Sequence, residues 1–321
     1  MKLKLNLYNS YMTKLLLILK IAVPVIFFFS ASISGQVDGT SGLPLGGVGT
    51  GAVKYNSGSG SFSANFRSPT RNGDYQTLAN AQFQVYTKRG SSILTSQKLT
   101  AQQNSGHVDD DAVFPLHKVN FGELNGISIG MTAYIPFNPE SIADMCHPSA
   151  MFEFSVGNTL SDSADVSIAF QINMPAVPSA ITDTGFSAGS SALQLSLIGS
   201  FPGGNGTLSY GSDNGFFSTG VCNNLITVTL NRLALKVSLE GLETRILRFV
   251  LGWYKPDDIT HYQYSNFWNS ARSAAVSALN NFDNFKMKSE ELVNRMRASN
   301  LPSWLVDQTL NSLVNLVNNS V

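Results

Sequence analysis

From about residue 42 to 256, apolar and polar residues alternate with a period of two, in short runs separated by Gly, Asn, Ser and Asp. Such alternation predicts half-buried β-strands joined by tight turns. Ala81-Gln82-Phe83-Gln84-Val85-Tyr86 is one run, and Met151-Phe152-Glu153-Phe154-Ser155-Val156 is another, with Phe152, Phe154 and Val156 on one face. Val166 to Phe170, Leu193 to Leu197, Leu225 to Leu230 and Leu233 to Leu239 continue the pattern. Arg245 to Trp253 is apolar enough for a central strand. Many antiparallel strands with one apolar face each predict a mainly β fold, two sheets packed as a sandwich.

After Lys255-Pro256 the period becomes helical. Phe267, Trp268, Ala271, Ala274, Ala275, Ala278 and Leu279 follow a 3–4 spacing, which predicts a helix within Tyr264–Asn281. A second helix is expected around Ser289–Val293, with acids near its start. A third follows Leu301-Pro302, since proline suits a first helical turn. Its apolar residues (Trp304, Leu305, Leu310, Leu313, Val314, Val317) must dock back on the sandwich or on another body.

The first 35 residues read as an address. Lys2, Lys4 and Lys14 precede an apolar stretch, Leu15 to Phe29, broken by Lys20 and Pro24, and small residues follow to Gly35. That is the layout of a secretory signal peptide, preferred to a retained anchor because the uninterrupted run is short. The expected division is signal peptide 1–35, β-sandwich 36–256 and helical segment 257–321. Met12 is an alternative start. Export to the periplasm or medium is the expected localisation, with membrane contact only through the signal before cleavage.

The 321 residues carry 21 basic and 21 acidic side chains. Loss of the signal removes four lysines and leaves a mildly acidic chain, so no footprint for nucleic acid is present. Export permits disulfides, and Cys146 and Cys222 allow one bridge, although buried free thiols are the favoured reading. No cofactor or metal is expected. Gly47-x-Gly49-x-x-Ala52 fits a loose dinucleotide fingerprint, but no strand precedes it and no helix can follow. His107-Val108-Asp109-Asp110-Asp111 lacks calcium-loop spacing and reads as a solvated turn. His117, His147 and His261 are dispersed. Among Glu123, Glu140, Asp144, Glu153, Asp257 and Asp258, no two pair by spacing as glycoside hydrolysis would require. Trp253, Trp268 and Trp304 read as core aromatics. No catalytic residue is assigned.

Four stretches in order carry a resemblance. Gly42-Leu43-Pro44-Leu45-Gly46-Gly47-Val48-Gly49-Thr50-Gly51 resembles the opening motif of the N-terminal domain of glycoside hydrolase family 116, which includes the non-lysosomal glucosylceramidases, or bile-acid β-glucosidases. Ala133-Tyr134-Ile135-Pro136-Phe137-Asn138, with Ser141 and Pro148, resembles its proline-rich turns. Phe152 to Thr159 resembles the strand and turn that follow. Phe249 to Pro256 and Leu301-Pro302-Ser303-Trp304-Leu305 resemble its last strand and the approach to its catalytic domain.

The resemblance implies a non-catalytic sandwich that packs against an (α/α)6 barrel. In the family that barrel holds the glutamate and aspartate of retaining β-glucoside cleavage, and neither has a counterpart here. The implied partners are the barrel, in a longer or split gene product, and through it a β-glucoside or glucosylceramide-type substrate. The chain alone is expected to be inactive, with residues 257–321 as a helical linker and the start of a barrel that is otherwise missing. Gly46, Gly47, Gly49, Thr50, Gly51, Trp304 and Leu305 are the candidate interdomain contacts. The alternative is a stand-alone secreted sandwich that binds glycan or serves structurally, without catalysis.

Overall fold

The computed structural model describes residues 42–67, 75–104, 107–257 and 262–319. The expected signal peptide, Asp258 and His261 lie outside them. Two antiparallel sheets form the body, as the alternation predicts. The larger has eight strands in the order Ala180–Thr182, Gly185–Gly189, Gln194–Ser200, Thr244–Tyr254, Ser149–Asn158, Ile127–Tyr134, Leu116–Glu123, Asp110–Val113. The smaller has five, in the order Thr207–Gly211, Leu230–Leu239, Ala164–Asn173, Gln82–Arg89, Ser92–Lys98. Thr244–Tyr254 is central, as its apolar character requires. A four-stranded sheet, from Pro44–Leu45 through Ala52–Asn56 and Ser61–Asn65 to Gln76–Leu78, adds a third layer of strands.

Alternation decides what each face meets. Phe152, Phe154 and Val156 point into the main core with Leu247, Phe249, Leu251 and Trp253, and residues 83, 85, 166, 168 and 170 reach the same core from the five-stranded sheet. Phe83 is its aromatic hub: its ring lies 4.6 Å from Phe170, 4.8 Å from Phe154 and 5.3 Å from both Phe152 and Phe62, centroid to centroid. Edge-on contacts of this kind add to the burial of large apolar area.

The opposite face of the eight-stranded sheet receives the helices. We number them α1 (Ala271–Asn280), α2 (Phe282–Arg297), α3 (Ser303–Ser312) and α4 (Val314–Asn319). Ser270 caps α1 by accepting from the Ser273 N–H, and Ser273 returns the bond in a capping box. Its alanine face packs so closely that a Cβ on Gly252 would sit 2.7 Å from the Ala271 carbonyl oxygen. Phe282, Phe285 and Val293 of α2 and Val306 and Leu310 of α3 share this second core with Leu116, Tyr134, Met151 and Val250. Val317 of α4 reaches the main core. The last apolar face therefore docks back on the sandwich over most of its length. No described helix is long and apolar enough to cross a membrane.

Two expectations fail. Leu225 to Leu230 is not a strand: only Leu230 enters one, and the rest belongs to the long connection 212–229, whose Phe216 and Cys222 cover the outer face of the five-stranded sheet. Asp109 to Asp111 is no solvated turn either, because Asp110–Val113 is an edge strand. Its Asp110 is held between Ser57 Oγ (2.5 Å) and His117 Nε2 (3.4 Å). Burial works against that carboxylate, yet the hydrogen bonds from His117 and Ser57 hold it below the ordinary range.

Candidate functional site

The glycine segment crosses one end of the sandwich, and its residues are used internally. Pro44–Leu45 pairs with Val53 and Lys54. The Gly47 N–H then donates to the His147 carbonyl (3.0 Å) and the Val48 N–H to that of Met145 (2.6 Å). A Cβ on Gly47 would lie 2.4 Å from His147 N, and one on Gly51, at φ +77°, would lie 2.4 Å from the Asn65 carbonyl oxygen. No side chain fits between backbones at such distances. Gly46 faces the Trp253 ring, and the Trp253 indole Nε1–H donates to the Thr50 carbonyl at 2.8 Å. Gly46, Gly47, Gly49, Thr50 and Gly51 are all buried in this chain. Within this chain these residues are covered by strand ends and a loop that come from distant sequence.

His147 is where this segment, the sheet and the helices meet. Its ring lies 4.2 Å from Trp268 and 5.6 Å from Phe285, centroid to centroid, and Nδ1 is 3.0 Å from Ser149 Oγ. Complete burial pushes its pKa down to about 3, so the imidazole is neutral at ordinary pH.

A charged cluster fastens α2 to the sheet. Glu153 and Arg248 stand directly opposite on neighbouring strands. The Arg248 Nε–H donates to Glu153 Oε2 (2.8 Å), Lys286 Nζ donates to Glu153 Oε1 (2.6 Å), and Arg248 also reaches Asp283 Oδ1 (2.5 Å). The guanidinium lies 4.2 Å from the Phe282 ring centroid, and its hydrogen bond holds the Asp283 carboxyl below the usual carboxylate range. Both oxygens of Glu153 are bound to cations, so this carboxylate is a fastener. Sequence order hides the cluster, although Phe282-Asp283 followed by Lys286 at the start of a helix is a legible hint.

Three of the other candidate acids have structural partners too. Glu140 pairs with Lys288, Asp257 pairs with Lys255, and Asp144 accepts from Asn138 Nδ2. Among the described residues no group of three His, Cys, Asp or Glu side chains could hold a metal. Cys146 and Cys222 are separate buried thiols, in different apolar clusters. Burial raises the Cys146 thiol to about 11 and that of Cys222 to about 12.

The second expected contact region behaves differently. Trp253 and Trp268 are core residues as expected, but Trp304 is 63% exposed, a correction to its reading as a core aromatic. It stands on the first turn of α3, with Leu305 half-buried beside it, Leu301 46% exposed just before it, and Met287 54% exposed on α2. Val306 and Leu310 fill the inward face of α3, so the indole is left on the outward one.

Comparison with protein-family models finds a match, over residues 42–182, to the family described as β-glucosidase 2, glycosyl-hydrolase family 116 N-terminal. No curated protein sequence matches significantly. Among solved structures, a family 92 α-mannosidase from Bacteroides thetaiotaomicron aligns at 13% identity over 85% of this chain and 38% of its own, with a TM-score of 0.44. A polysaccharide lyase aligns at 12% over 61% of this chain and 30% of its own (TM-score 0.37), and a heparinase III at 8% over 61% and 29% (TM-score 0.33). The chain spans well under half of each of these proteins, and at such scores nothing about its chemistry follows from them. The family match begins at the glycine segment and runs through Ala133 to Asn138 and Phe152 to Thr159, three of the stretches that carry the resemblance. Over residues 42–182 this chain is similar to the N-terminal domain of glycosyl-hydrolase family 116.

Proposed function

We propose that the chain is the non-catalytic front part of an exported family-116-like β-glucosidase, and that its helical segment seats a catalytic (α/α)6 barrel. The observation that carries this reading is Trp304. A large indole left 63% exposed on a helix whose other face is fully packed is the kind of aromatic that anchors a protein interface. The family match supports the reading, since an N-terminal domain of that family precedes the part that holds the chemistry. The committed state of Glu153 supports the non-catalytic role. Export is supported by the charged and apolar pattern of the first 35 residues.

The test is to read the genomic frame after the codon for Val321 and to express what it encodes together with this chain. The chain alone should release no nitrophenol from 4-nitrophenyl β-glucoside. A barrel encoded downstream should co-purify with the chain, and Trp304→Ser should weaken the association by about tenfold or more. Turnover by the chain alone, or association indifferent to Trp304, would refute the proposal.

A further inference from the structure

Asparagine followed by glycine is a chemically labile pair. The main-chain nitrogen after the asparagine can reach that residue's own side-chain carbonyl carbon, and glycine puts no Cβ in the way. Three such pairs lie among the described residues: Asn125-Gly126, Asn205-Gly206 and Asn214-Gly215. They share the same two residue types, so what separates their reactivity is the fold.

Two of the three are restrained. Asn125 sits at φ +53° in the turn between Leu116–Glu123 and Ile127–Tyr134, and Gly126 follows at φ +79°. The Asn125 Nδ2 donates to the Leu94 carbonyl (3.1 Å) and to Thr95 Oγ1 (2.7 Å), and Gly126 is buried. Attack would require the side chain to leave both acceptors and the turn to open. Asn214-Gly215 is blocked at the nucleophile. The Gly215 N–H donates to Asp213 Oδ1 at 2.7 Å, and Gly215 has helical angles, φ −57° and ψ −31°, at the start of the short helical turn Phe216–Thr219.

Asn205-Gly206 has neither restraint. Both residues are exposed, in irregular chain between Gln194–Ser200 and Thr207–Gly211. Among the described residues, neither the Asn205 side chain nor the Gly206 N–H makes a hydrogen bond. Open space surrounds Gly203, so the loop has room to rearrange. The Arg245 guanidinium, paired through Nε with Glu243 (2.5 Å), lies with Nη1 against Gly204. A cation beside this backbone favours loss of the amide proton, the step that makes the nitrogen nucleophilic.

We propose that Asn205 is a self-modifying site, converted through a cyclic imide to aspartate and isoaspartate. The Gly206 nitrogen gives its proton to solvent hydroxide and bonds to Asn205 Cγ. The Cγ–Nδ2 bond breaks, and Nδ2 leaves as ammonia with a proton from water. A second water then opens the imide at either carbonyl. One opening gives aspartate, and the other gives isoaspartate, in which the side-chain methylene becomes part of the main chain. The sum is hydrolysis of one amide, with no change of oxidation state. Either product places a carboxylate beside Arg245, two residues ahead of the edge strand Thr207–Gly211. The inference rests on this loop and does not depend on a catalytic partner.

Prolonged incubation of the full chain at neutral pH tests it, with chymotryptic mapping by tandem mass spectrometry to read the change from amide to acid at each asparagine. In the folded chain Asn205 should convert about tenfold faster than Asn125 or Asn214, because each of those must first open locally. In urea, where the restraints are gone, the three rates should come within about threefold of one another. Asn205→Gln, in an exposed loop, should lower conversion at that position by about tenfold or more, since the larger ring closes less readily. The inference is overturned if Asn125 or Asn214 converts as fast as Asn205 in the folded chain. It is equally overturned if Asn205 keeps its amide when folded and loses it only in urea, or if its lead over the other two persists in urea.

Discussion

Two stretches stand out by motif, the glycine run Gly46–Gly51 and the pair Trp304–Leu305, and the fold puts them in opposite circumstances. The first is buried against Trp253, His147 and the 61–65 strand of its own chain, while the second leaves an indole largely in solvent. A glycine motif records a demand for close backbone approach, and that demand can be met inside one domain. An exposed aromatic on an otherwise packed helix records surface that this domain does not use. The first stretch therefore serves this domain's own architecture, and the second is where the proposed association would act.

The largest expected effect breaks the first half of that contrast. Gly47→Ala places a methyl 2.4 Å from the His147 backbone nitrogen, where only backbone movement can relieve it. We expect a loss of about 3 kcal/mol or more in urea unfolding, in the upper range for overpacked sites. A variant within about 0.5 kcal/mol of the parent would mean that the segment yields easily, and its internal role would fail.

A second effect, of intermediate size, comes from the histidine beneath that segment. The folded pKa of His147 is depressed to about 3, below the ordinary value near 6.5 of the unfolded chain, so the folded state binds fewer protons. The stability tied to its neutral form is fully present above about pH 6.5 and is lost as pH falls towards 3. Between pH 7 and pH 5 the loss should be about 2 kcal/mol. His147→Leu should flatten this slope in unfolding curves taken across that window. An unchanged slope would assign acid sensitivity to other groups, with the Asp110–His117 pair the next to examine.

What could be read from sequence follows the range of the physics involved. Strand alternation is local, so Phe152/Phe154 and Val166/Ile168/Phe170 locate both sheets, and the alanine spacing from 271 to 278 locates α1. Leu225 to Leu230 also alternates, yet Leu225 and Val228 are exposed in a loop, because burial in a sheet depends on a neighbouring strand that is not there. The surroundings of the glycine segment are illegible for the same reason, since the atoms that crowd it come from residues 145–147 and 253. Glu153 and Arg248 lie 95 residues apart and meet only through strand register.

The smallest expected effect on stability is the one that sharpens the contrast most. Trp304 and Val306 are two residues apart on α3, and one is 63% exposed while the other is 2% exposed. Val306 belongs to the core beneath the helices, so Val306→Ala should cost about 1–2 kcal/mol through lost burial and a small cavity. Trp304→Ser removes a much larger side chain but little buried contact, and should shift stability by no more than about 0.5 kcal/mol. Urea midpoints for the two variants, measured on the same day against the parent, decide the matter. If Trp304→Ser destabilises as much as Val306→Ala, the indole is part of this domain's own packing and its assignment to a partner falls. If the serine variant is as stable as the parent and less prone to self-association, the exposed ring is surface held in reserve for another body, which is what an interface anchor requires.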